Sequence, residues 1–254
     1  TMVAGKIPDW ILGRGHPRYP QEKYLVGLGY SEKNAVSAND HARMELAKSM
    51  RVKIHSTMKD VASVEWDYIE SVVETEINTL LEGVEIKDGW YDPKGTYYAY
   101  AVMDRALAEI VAKDRVKSAV ESLAVYMRDG KEAEGRGEIF SALSAYVSGY
   151  RNASSLLPLK SALRVIKHST EAIKADGIGE SDFAGKMQSI VNNLKLETVS
   201  GDGQSVKSHK ELAEPLAVRL TLRRETGAIP VIGFPLVFKY ERGSGELESN
   251  KASD

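Results

Sequence analysis

The hydrophobic period of this chain switches between two and about 3.6 residues several times, which confines it to a mixed architecture where strands and helices share a core. Tyr24-Leu25-Val26-Gly27-Leu28-Gly29-Tyr30 reads as a short apolar strand. Ala35, Ala38, Ala42 and Leu46 then recur at helical spacing as far as Met50, with Ser31 expected as the helix N-cap. Alanines on that face let a helix lie close on a sheet. Val52, Ile54, Ser56 and Met58 alternate with Lys53, His55, Thr57 and Lys59, the pattern of a half-buried strand. Trp66, Ile69, Val73, Ile77 and Leu80 return to helical spacing, and Val84 and Ile86 begin a strand running to Tyr91. Asp92-Pro93-Lys94-Gly95 predicts a turn, because Pro fixes φ and Gly tolerates positive φ. Thr96 to Asp104 is the returning strand of a hairpin. The expected order to residue 104 is β-α-β-α-β-β, a small antiparallel or mixed sheet with helices on one face.

From Arg105 to about Leu194 the pattern is helical. Leu107, Ile110, Val111, Val120, Leu123 and Met127 mark a long helix expected to stop near Gly130. A second spans about Glu138 to Tyr150, Pro158 opens a third, and a last one follows Gly177 and Gly179 and carries Phe183, Met187, Ile190 and Leu194. Ser200 to Ser208 is a polar linker. Leu216, Val218, Leu220 and Leu222 alternate as a strand, Gly227 marks a turn, and Val231 to Tyr240 is a second strand region interrupted by Gly233-Phe234-Pro235. The fold class is therefore α+β, in three expected parts: an α+β domain over 1–104, a helical region over 105–197 and a β-strand segment over 198–254.

Composition narrows function more by exclusion than by assignment. The 34 basic and 36 acidic residues nearly cancel, so no broad basic field exists to attract nucleic acid. Cysteine is absent, which removes disulfides, thiolate catalysis and Cys-based zinc sites. No apolar run approaches the roughly 20 residues of a membrane span. No signal peptide is visible, and Thr1-Met2-Val3-Ala4-Gly5 reads as a trimmed beginning.

Pro8-Asp9-Trp10, then Tyr19-Pro20, then Tyr24 to Ser31, are followed by Ala35, Ala38, Ala42 and Ala47, with Val52-Lys53-Ile54 beginning the expected next strand. This series resembles the LPP20 family of envelope lipoproteins, in which a P-x-W element precedes a Y-L-x-G-x-G strand that feeds an alanine-rich helix. The resemblance covers roughly residues 8 to 110. It implies a small α+β domain, also similar to the amino-terminal part of a flagellar basal-body ring protein. It further implies export to the periplasmic side of the cell envelope, with an outer-membrane lipid anchor through an amino-terminal Cys lying outside this chain. The family supplies no catalytic residues, so a non-enzymatic structural or assembly module binding envelope proteins is the expectation, with no cofactor. The alternative is a periplasmic module that binds a small ligand or peptidoglycan. Pro215 to Arg219 and Pro230 to Phe238 are similar to the start of an immunoglobulin-like domain. Such domains usually continue past a Gly-x-Gly like Gly243-Ser244-Gly245, implying truncation at Asp254.

Other motifs have plainer readings. Gly27-x-Gly29 between strand and helix could cradle phosphate, but the third glycine of a dinucleotide fingerprint falls at Glu32, whose charge repels it. Histidines 16, 41, 55, 168 and 209 lack metal-site spacing, so no metal ligands are assigned. Glu65, Asp67, Glu70, Glu74 and Glu76 cluster, with Glu70 and Glu74 on the solvated face of an amphipathic helix. The remaining candidate is the aromatic group Trp90, Tyr91, Tyr97, Tyr98 and Tyr100. Alternation puts Tyr98 and Tyr100 on one sheet face and Tyr97 on the other. Such side chains either pack across strands or present a protein or glycan contact surface.

Overall fold

The computed structural model describes residues 6–58, 66–169, 177–207 and 210–238, apart from the side chain of Trp66. Mixed α+β architecture is observed: six helices and two three-stranded antiparallel sheets lie among the described residues. The chain divides into two compact units, residues 1–121 with 154–177, and residues 122–153 with 178–254.

The first unit is built on strands β1 (Tyr24–Ser31), β2 (Glu85–Tyr91) and β3 (Tyr97–Asp104), in the order β1-β3-β2. Period-two alternation gives this sheet two different faces. Leu25, Ala99, Ala101 and Met103 point into a core with Ala38, Ala42, Leu46, Met50 and Ile54 of α1 (Ala35–Thr57). That core also takes Ile69, Val73 and Ile77 from α2 (Trp66–Leu81), Ala108 and Ala112 from α3 (Arg105–Arg136), and Ala162 and Ile166 from α5 (Leu156–Lys167). Val26, Leu28, Trp90, Tyr98, Tyr100 and Val102 point the other way, where the amino-terminal arm covers them.

One expected strand is replaced by helix. Residues 52–57 continue α1, so the order to residue 104 is β-α-α-β-β. Alternation at Val52, Ile54, Ser56 and Met58 is overridden because Leu46, Met50, Ile54 and Met58 recur every four residues and all reach the core, while Val52 is 62% exposed. The N-cap is Asn34 rather than Ser31: Asn34 Oδ1 accepts from the Ser37 amide at 2.8 Å. Ser31 belongs to β1, and its Oγ accepts from the Lys33 amide at 3.1 Å. The hairpin forms as expected, with Gly95 at φ 107.

In the second unit, α3 runs through Gly130 instead of stopping there and ends at Arg136, with Gly137 at φ 83. Gly130 has a packing reason to be helical: a β-carbon on it would lie 2.3 Å from the ring of Tyr146 in α4 (Ile139–Ser154). Helix α5 opens at Leu156, and Pro158 falls within its first turn. Helix α6 (Glu180–Asn193) begins at Gly179, whose amide donates to Asp182 Oδ2 at 2.8 Å, and buries Phe183 and Ile190. It leads directly into β4 (Leu194–Ser200), a strand the sequence pattern did not mark. β4 pairs with β5 (Ala217–Arg224), near the predicted position, and β5 with β6 (Gly227–Pro230). The second carboxy-terminal strand thus precedes the expected Val231–Tyr240, where residues 231–238 form no strand and 239–254 lie outside the described residues. Gly243-Ser244-Gly245 shares that position.

Candidate functional site

Cross-strand register decides where the candidate aromatics go. Trp90 lies opposite Tyr98 and Tyr91 opposite Tyr97. Trp90, Tyr98 and Tyr100 form one layer on the arm side, while Tyr97 packs against the helical core and meets the ring of Tyr91, their centroids 4.7 Å apart. The five residues are thus divided between two faces.

The arm closes over the first group. Trp10 is buried and packs on Tyr100 with centroids 5.3 Å apart. His16 stacks on the same ring at 5.0 Å and lies tilted against Tyr19 at 4.7 Å. Trp90 and Tyr100 are only 5% and 3% exposed, so they form a second small core rather than an open contact surface. Tyr98, half-buried, lies beside the rings of Trp90 and Tyr30; Tyr30 is 58% exposed.

His16 is the residue the sequence pattern did not single out. Its Nε2 contacts Asp88 Oδ2 at 3.1 Å and its Nδ1 accepts from the Arg18 amide at 3.1 Å. Because Nδ1 accepts, the ring proton sits on Nε2 and donates to Asp88. Asp88 faces the arm because β2 carries a bulge: Ile86 pairs with Ala101, and Asp88 with Tyr100. The extra residue, Lys87, turns the following side chains to the opposite face. A His–Asp pair can serve general-base chemistry only if one ring nitrogen faces substrate; here both are engaged within the fold. Proximity of histidine to the aromatic anchors Trp10 and Tyr19 was the available sequence signal.

The other histidines are also accounted for locally. His55 pairs with Glu70 across α1 and α2 at 3.1 Å, and is helical rather than on a strand. His41 Nδ1 lies 2.9 Å from the Tyr30 carbonyl, with Nε2 3.7 Å from Glu45. His168 caps α5 at φ 54; His209 and Glu65 lie outside the described residues. Glu76 departs from its solvated neighbours, being 1% exposed and paired with Arg115. Burial raises its pKa against the opposing pull of Arg115. No group of three or more metal-ligating side chains occurs among the described residues.

A three-stranded antiparallel sheet with helices on one face and an aromatic-anchored arm on the other defines a small layered α+β domain, with its histidine–carboxylate pair engaged in packing. Residues 8–104, less than half of the chain, match the model of the LPP20 lipoprotein family. That family is not a known enzyme family. The crystal structure of the secreted protein HP1454 from Helicobacter pylori is 14% identical, with 84% of this chain and 88% of that chain covered and a TM-score of 0.34. No curated protein matches. No helix among the described residues is long and apolar enough to cross a membrane.

Proposed function

We propose that this chain is a non-enzymatic module of the cell envelope that acts as a structural or assembly element through protein–protein contacts. The LPP20 lipoprotein match over residues 8–104 carries this reading. Its place would be the periplasmic side of the envelope, held at the outer membrane by a lipid on the native protein. The contact surface would use exposed apolar side chains of the first unit: Val36, Met44 and Val52 on α1, and Leu107, Ile110 and Val111 on α3. The latter three follow i, i+3, i+4 spacing and make one patch, of the kind that marks interaction sites.

Fractionation of cells making the native protein tests the placement. Recovery with envelope membranes, and release to a soluble fraction when an amino-terminal lipid-bearing Cys is replaced, supports the reading. Recovery in the cytosol would overturn it. Site-specific photocrosslinking at Leu107 then tests the contact role, with adducts expected there and absent at the buried control Ala108.

A further inference from the structure

A cavity of about 240 Å³ opens in the first unit between β1, α1 and the start of α3. Leu46 and Met50 lie in its wall, while Ser49, Lys53, Gln21 and Arg105 supply its polar lining. Ser49 and Lys53 are four residues apart on α1 and so share a side of that helix. Arg105 is fixed from behind by backbone. Its Nε donates to the Gln21 carbonyl at 3.0 Å, and its Nη1 donates to the carbonyls of Val165 and Ile166 at 2.9 and 2.7 Å. Those carbonyls end α5, whose partial negative charge answers some of the guanidinium charge.

Among the described residues, no carboxylate lies within ion-pair distance of Lys53 or Arg105. Glu22 is the acid whose field reaches Arg105. Loss of hydration, followed by the charge on Arg105, holds the Lys53 ammonium below the usual lysine range. Two cations that line one cavity, with no carboxylate paired to either among the described residues, repel each other, and an anion bound there would ease that repulsion.

We propose that this cavity binds a small oxyanion, a phosphate or carboxylate group, through the Lys53 ammonium, the Ser49 hydroxyl and the Nη2 edge of Arg105. Its size favours a single anionic group, since pockets for drug-sized ligands begin at about 300 Å³. The group can belong to a free small molecule or to a lipid headgroup. The site needs no envelope partner and stands apart from the contact role proposed above.

The test is titration of the whole chain with inorganic phosphate, and separately with acetate, at constant ionic strength, following backbone amide shifts in α1 and at Arg105. Saturable shifts centred on Ser49 and Lys53 are expected with at least one anion, with a dissociation constant of about 1 mM or tighter. Lys53→Met should weaken binding about tenfold, while the anion-free melting temperature stays the same or rises as the repulsion with Arg105 is removed. Ser49→Ala should weaken it by a smaller factor. Sedimentation with phosphatidylglycerol vesicles separates the two sources: a Lys53-dependent association assigns a lipid headgroup, and none, beside binding of the free anion, assigns a soluble ligand. No saturable shift with either anion, or equal affinity in Lys53→Met, would overturn the proposal.

Discussion

The backbone nitrogen of Ala42 lies 2.1 Å from the point a β-carbon would occupy on Gly29, so β1 and α1 meet backbone against backbone. Gly27 stands in the same relation to the Ala42 carbonyl, at 2.2 Å. The two glycines are required by this approach, and the Gly-x-Gly spacing follows from the two-residue repeat of the strand. Neither neighbour is a flexible side-chain end that could swing away. Gly29→Ala is therefore expected to destabilise the first unit by at least about 2 kcal/mol in urea unfolding. Gly185→Ala, on α6 with open space around it, should be neutral or stabilising by up to about 1 kcal/mol.

Helix and strand assign opposite fates to Val52 and Ile54. On a strand they would share a face; on α1 Ile54 is fully buried and Val52 is exposed. Ile54→Ala should cost about 2–5 kcal/mol, and Val52→Ala less than about 0.5 kcal/mol. Equal losses in chemical denaturation would contradict the continuous helix.

The arm depends on one polar contact at its centre. Removing the His16 ring leaves Asp88 without this partner and uncovers Tyr100. His16→Ala is expected to red-shift tryptophan emission as Trp10 gains water, and to speed proteolysis between residues 6 and 22. Unchanged emission and cleavage would show that Trp10 and Tyr19 hold the arm alone.

Glu76 gives a pH dependence of unusual sign. Its folded-state pKa is raised by burial, so the unfolded state releases the proton first as pH rises. The penalty is absent below the unfolded value, grows above it and is complete once pH passes the folded value. Relative to Glu76→Gln, the wild-type chain should thus gain stability on acidification through the carboxylate range, read from urea midpoints at several pH values. A difference that moves the other way as pH falls would mean that the Arg115 contact outweighs burial, and a flat one that the two cancel.

Much of the layered domain was legible because its period signals were local. The β1 strand, the alanine face of α1 and the β2–β3 hairpin all follow from spacing within a few residues of each other. Misreadings arose where two periods coincide: Ile54 and Met58 satisfy both a two-residue and a four-residue repeat, and only the core they enter decides between them. Gly130 reads as a stop because glycine disfavours helix, yet the Tyr146 ring sixteen residues later needs the space. The aromatic cluster was found and alternation separated Tyr98 and Tyr100 from Tyr97, but the faces of Trp90 and Tyr91 were hidden, since the bulge at Lys87 reverses the side-chain faces of β2 without a composition signal. His16 was missed for the same reason: its partner is seventy-two residues away.

Arg105 ties the carbonyl of Gln21 to those of Val165 and Ile166, and Ala162 and Ile166 complete the core that α1 and α2 begin. The layered domain therefore cannot close when its last strand has left the ribosome. It must wait for about sixty more residues, among them α4, which belongs to the other unit. During that interval the apolar side of α1 and α2 is an unfinished surface. Newly made chains are most exposed to aggregation and chaperone capture there, and a fragment ending at residue 104 would carry that vulnerability permanently.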